Sequence, residues 1–207
     1  MFLFVLIPIL IPFLLFYYTY ENKNSNKLFI SSLIGLSFVL YPYITTFFHE
    51  MHHALFGKMF GLEIIDIKIT YGQGGVFWNN IELPLFQELM LYGSGSIGAM
   101  LVNVILLYMV YHNNELAFEF YLPLFSAFSY GILKEIIYWY NFSLDERSDP
   151  YKIATLLKIE PEIFKYVSFF FLIITLPFLF VIFIKRLNVY MNNLGLETDN
   201  LLIISLL

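Results

Sequence analysis

An apolar run of membrane-spanning length, Leu28 to Phe48, ends directly in His49-Glu50-Met51-His52-His53. That junction constrains the chain more than any other stretch. His49 and His53 are four residues apart, and on a helix such positions share a face, so both imidazoles can reach one ion. Glu50 projects beside that ion, where a carboxylate can hold a water. Together the five residues spell HExxH, with His49 and His53 as metal ligands and Glu50 as general base of a zinc hydrolase. The competing reading is a histidine-rich helix end at the lipid headgroups. An acid and two histidines facing an apolar interior are costly without a purpose.

Composition sets the class. The 207 residues are 59% hydrophobic and 20% aromatic, and only 13% are charged. A soluble domain of this size carries about a quarter charged residues. The expected fold is an all-α polytopic membrane protein with about five transmembrane helices, forming a single integral membrane domain over 1–207. The segments of spanning length are 2–19, 28–56, 88–111, 117–140 and 163–184. The first has no basic leading region and no small-residue cleavage pattern, so it reads as a retained helix rather than a signal peptide. A net charge of −5 gives no basic footprint for nucleic acid. The chain has no cysteine, so a metal must be held by histidine and carboxylate.

Between the second and third segments the period changes. Ile65, Ile67, Ile69 and Tyr71 alternate with Asp66, Lys68 and Thr70, which is strand spacing. Gly72-Gln73-Gly74-Gly75 reads as a turn, and Val76-Phe77-Trp78 as a returning strand. This predicts a β-hairpin over 62–80 lying at the membrane surface, its free edge able to pair with an extended substrate. The third segment opens on small residues, Gly93-Ser94-Gly95-Ser96, which suit close helix packing. Asn103, further along it, suits either an oxyanion or substrate contact or a bond to a neighbouring helix. Lys134 and Glu135 sit near the end of the fourth segment. Beyond it, 141–151 holds the densest carboxylate cluster, with Ser148 placed to cap a short helix from Tyr151 to Leu157 and Pro150 near its start. Residues 187–207 form a C-terminal tail.

Counting crossings brings the carboxylate loop, Glu135, the hairpin and the start of the third segment to the same side as His49 and His53. Lys58, Lys68, Arg147, Lys152, Lys158 and Lys165 fall on that side, against Lys23, Lys27, Lys185 and Arg186 on the other. This bias makes the active-site side cytoplasmic.

The stretch from His49 to Phe56 resembles the site-2 protease superfamily of intramembrane zinc metalloproteases, whose wording is HE-x-G-H-A; here His52 stands at the glycine and Ala54 follows. The resemblance covers about residues 28 to 160. Gly95-Ser96-Ile97-Gly98-Ala99 echoes the family's glycine-proline-x-x-asparagine motif but lacks the proline and has Ala99 at the asparagine's place. Ser148-Asp149-Pro150 is similar to the Ser-Asp-Ala wording of a compact branch. The resemblance implies Asp149 as the third zinc ligand, with Asp145, Glu146 and Glu135 as alternatives. It implies a membrane-embedded zinc metalloendopeptidase, with Zn2+ as cofactor, acting on a membrane protein or peptide in the lipid bilayer. The alternative is a non-proteolytic protein that binds metal or helices on a degenerate protease fold.

Overall fold

The computed structural model describes residues 25–79, 82–113, 116 and 118–193. The segment expected at 2–19 and the tail beyond 193 lie outside them. In chain order the elements are α1 (Ser25–Met59), β1 (Ile64–Thr70), β2 (Gln73–Trp78), α2 (Leu85–His112), α3 (Phe118–Phe142), α4 (Asp149–Leu157) and α5 (Glu162–Asn193).

The core explains why these helices pack. Tyr41 of α1, Leu107 and Val110 of α2, Tyr121, Phe125, Phe128, Ile132 and Ile136 of α3, and Leu179 of α5 form one buried cluster. Each such side chain contributes roughly 1.5–3 kcal/mol by leaving water. Helix α3 supplies most of them and lies in the middle, touching α1, α2 and α5. Close approach of α2 and α3 depends on Gly131, where a Cβ would fall 2.2 Å from Asn103 Oδ1. Asn103 is fully buried. Its amide accepts from Tyr41 Oη and donates to the Ala99 carbonyl at 2.7 Å. One polar side chain thus stitches α1, α2 and the small face of α3 together.

At the far end, Arg186 turns inward rather than ending a span in solvent. It donates to the carbonyls of Asn113 and Leu116 at 2.7 and 3.3 Å and lies over the Tyr121 ring. That ties α5 to the loop between α2 and α3.

The sheet is small and open. Strands β1 and β2 pair antiparallel, Ile67 facing Val76 and Thr70 facing Gln73, with an irregularity between Ile64 and Asp66. The turn is tighter than the glycine run suggests. It is made by Tyr71 and Gly72, the latter at φ 72°, and Gly74 and Gly75 belong to β2. Glycine inside a strand often marks a close backbone approach, and here the neighbour is the HExxH end of α1. The hairpin packs against that helix, not on a membrane surface as expected.

The expectation of about five transmembrane helices is likewise corrected. Among the described residues, two helical stretches are long and apolar enough to cross a membrane by length and composition, Leu85–His112 and Glu162–Tyr190. A buried core helix passes the same test, and half of the α2 window is buried inside the protein. Helices α1 and α3 carry polar and charged side chains on their inner faces. Thr45, Thr46, His49, Glu50 and His53 are buried on α1, and Ser129 and Glu135 on α3. Apolar run length did not register these buried polar residues, nor that half of the α2 window packs inside the protein. A multi-pass topology and a cytoplasmic active-site face therefore do not follow.

The Asn103 contact sets a test. Gly131→Ala should destabilise the fold by about 1–3 kcal/mol through overpacking, read by denaturant unfolding. Adding Asn103→Ala to that variant should restore part of the loss, since the two changes share one contact.

Candidate metal centre

Three buried side chains from distant parts of the chain meet at one point. His49 and His53 come from one face of α1, and Asp149 from the first turn of α4. Their nearest atoms form an almost equilateral triangle. His53 Nε2 lies 3.1 Å from His49 Nε2 and 3.1 Å from Asp149 Oδ2, and His49 Nε2 lies 3.2 Å from the same oxygen.

The other ring nitrogens reveal what those atoms carry. His53 Nδ1 is 2.7 Å from the Leu91 carbonyl, which can only accept, so Nδ1 holds the proton. His49 Nδ1 donates to Glu135 Oε2 at 2.9 Å. In the neutral rings both Nε2 atoms then present lone pairs, and they face each other across a carboxylate oxygen. Three lone pairs at such distances repel unless something positive lies among them. Ligands about 2.1 Å from a tetrahedral metal stand about 3.4 Å apart, close to the sides of this triangle. The donor set of two imidazoles and one carboxylate suits a divalent ion such as zinc. The cluster is therefore capable of coordinating a divalent ion.

Local structure explains how Asp149 is delivered. Ser148 is the N-cap of α4, accepting from the Tyr151 amide at 3.3 Å, while Pro150 occupies the first turn. Tyr138 donates to Asp149 Oδ2 at 3.2 Å, and the Asp149 amide donates back to the same hydroxyl at 3.2 Å. Without an ion, a proton can take its place: burial opposes a charge on His49, but Glu135 and Asp149 outweigh it and raise the pKa of that imidazole to about 10, and hydrogen bonds and charge from the histidines in turn outweigh burial and hold the Asp149 carboxyl well below the ordinary carboxylate range. A carboxyl depressed on folding stabilises the fold above its ordinary value and loses that contribution as pH falls towards its folded value.

Two glycines leave room for the cluster. A Cβ on Gly95 of α2 would sit 2.3 Å from His53 Nε2 and 2.6 Å from His49 Nε2. A Cβ on Gly74 of β2 would lie 2.6 Å from both Cγ and Oε1 of Glu50. Helix α2 thus closes one side of the centre, and the hairpin covers Glu50, which is buried. A cleft of about 680 Å³ remains, bordered by β2, α1, α3 and the loop before α4.

The remaining candidates from the sequence fall elsewhere. Glu135 reaches the centre, but through His49 Nδ1, as the partner that fixes a ligand ring. Asp145 borders the cleft and pairs with Arg147 at 3.4 Å. Glu146 takes no part in the cluster. Asn103 is occupied between Tyr41 and Ala99 and does not point at the ion's place. Sequence reasoning missed Tyr138, the Leu91 carbonyl, and the spatial reasons for Gly74 and Gly95. Only the glycines carried a signal, Gly74 within a run read as a turn and Gly95 as a small residue on a helix.

The chain matches no protein-family model, no curated protein and no solved structure.

These findings correct the expectation of a membrane-embedded zinc metalloendopeptidase. HExxH is present as a sequence, and the residues it shares with Asp149 define a place for a metal. Among the described residues, the oxyanion partner expected of a protease does not assemble around it. The side chain expected at an oxyanion is committed to helix packing, and the carboxyl expected as base is buried against Gly74 of β2 at the edge of the cleft. Metal binding without proteolysis fits this arrangement better.

Two outcomes test the centre. Glu135→Gln should weaken binding of a divalent ion about 10–100-fold, the usual cost of losing a partner behind a ligating histidine, measured by competition with a chromophoric chelator. Gly95→Ala should abolish that binding while the helical circular dichroism persists.

Proposed function

We propose that the chain is a non-proteolytic metal-binding protein that holds Zn2+ through His49 Nε2, His53 Nε2 and Asp149 Oδ2. The triangle of two ring nitrogens and a carboxylate oxygen, 3.1–3.2 Å on a side, is the observation that carries this reading. Zinc suits a set of two imidazoles and one carboxylate, with a fourth position left over the cleft. Glu135 and the Leu91 carbonyl hold the two rings in the tautomer that offers Nε2. Tyr138 holds Asp149 in place. The likeness of His49 to Phe56 to the site-2 protease superfamily enters as a proposal about the scaffold, a degenerate relative that retains the ligands.

Lipid is the partner we propose for α5. Its outer face exposes Phe169, Phe170, Phe171, Ile173, Ile174, Leu176, Phe178 and Phe180 together, far more apolar surface than isolated exposed residues explain. A helix-forming membrane peptide fits the same face.

The decisive experiment compares wild type with His53→Ala and Glu50→Gln. Wild type and Glu50→Gln should each bind one zinc, and His53→Ala should bind none, by equilibrium dialysis with metal analysis. None should cleave a panel of single-span peptides. Cleavage by wild type that Glu50→Gln abolishes would restore the protease reading and overturn this one.

A further inference from the structure

A second cavity, of about 720 Å³, runs as a groove between α2 and α5 with α3 as its floor. Leu107, Ile132, Ile136 and Leu179 at its base belong to the buried core, while Val104 on one wall and Phe171 on the other are about half exposed. Along α2 it runs from Ser96 to His112, about 24 Å at the helical rise. The groove is open along its length. A hydrocarbon chain laid in it covers the base and leaves its own outer side bare, which is stable only where the surroundings are hydrocarbon too. An occupant of this kind therefore rests on the reading of α5 as a lipid-facing helix, whose exposed apolar face adjoins the groove.

The two ends differ in charge. Glu135 stands at the end near the metal centre, and among the described residues no other carboxylate lines the groove. Tyr108, Tyr111, His112 and Lys185 line the opposite end. Arg186 donates to the Asn113 carbonyl at 2.7 Å, which brings its neighbour Lys185 beside the last turn of α2. The His112 ring centroid lies 4.3 Å from that of Tyr108 and 5.1 Å from that of Tyr111. Lys185 and His112 are exposed, and among the described residues the Lys185 ammonium has no hydrogen bond or ion pair. A negative head is thus attracted at Lys185, where ring N–H and hydroxyl groups can donate to it, and repelled at Glu135. Lysine and tyrosine at the end of an apolar stretch also stand where bilayer headgroups lie.

We infer that this groove seats an anionic phospholipid, one acyl chain lying against α3 between α2 and α5 and its headgroup phosphate at Lys185 and His112. A fatty acid taken from water would keep one side of its chain wet in so open a groove, and a zwitterionic lipid brings an ammonium close to Lys185. A lysine that reaches the headgroup level without selecting a lipid is the rival account that the experiment separates.

The full chain is assembled in nanodiscs of phosphatidylcholine containing a minor fraction of phosphatidylglycerol, and the lipid it retains on release is counted by native mass spectrometry. The expected result is one retained phosphatidylglycerol per chain, enriched about fivefold over its share of the disc, the effect of one lysine at a charged surface. Lys185→Gln, at an exposed position, should remove the enrichment. Val104→Trp, which narrows the groove, should remove the retained lipid while the chain stays in the disc. Both variants should keep the helical circular dichroism of wild type, and if Val104→Trp does not, Lys185→Gln decides alone. Failure of the chain to enter nanodiscs with or without phosphatidylglycerol would overturn the lipid reading of α5 and this inference with it. Entry into the disc with the two lipids retained in proportion, or an enrichment that survives Lys185→Gln, would overturn this inference alone.

Discussion

Three unshared electron pairs, brought within about 3 Å of one another in a buried site, are the constraint around which the rest of the structure is arranged. An apolar interior strengthens the repulsion among them as it strengthens any electrostatic term. The fold must therefore either protonate the imidazoles or admit a cation. It allows both, since Glu135 and Asp149 favour a proton on His49 and a divalent ion can take that proton's place. Each ring is held by its Nδ1, one by a backbone carbonyl of α2 and one by a carboxylate of α3. The acid is fixed by a tyrosine and by the capped start of a short helix. The four helices that contribute to the centre are those that share, or pack on, the core around Tyr121 and Phe128.

Glycine placement follows from the same constraint. Where α2 passes the ligands it must carry no Cβ, and where β2 crosses Glu50 it must carry none either. Gly131 plays a different part, admitting Asn103 to the joint between α1, α2 and α3. Glu135 is the one side chain common to both cavities. One of its oxygens accepts from a ligand ring, and the other lies 3.8 Å from Lys134 Nζ.

How much of this can be read from sequence depends on the range of the interaction. The i, i+4 spacing of His49 and His53 places two ligands together from local geometry alone. Alternation over Ile65 to Tyr71 reads as strand, and Ser148 with Pro150 reads as a helix start, because both are short-range effects. Asp149 is a hundred residues from His49, and only a resemblance singled it out among four carboxylates. Asn103 was ambiguous between an oxyanion contact and a helix bond, a choice set by the distant Tyr41 hydroxyl. The number of spans was misjudged for a related reason. Hydropathy averages over a helix and does not separate the buried half of α2 from the exposed apolar face of α5. Gly74 lay inside a glycine run that looked like a turn, and its function became visible only beside Glu50.

The account stands on what surrounds a bound ion. X-ray absorption of the chain loaded with one equivalent of zinc tests that most directly. The account requires a first shell of low coordination at about 2.0–2.1 Å, with outer-shell scattering from two imidazoles that is lost in His53→Ala. A six-coordinate shell of oxygen alone, unchanged by that substitution, would show that the ion lies elsewhere and would contradict the centre described above.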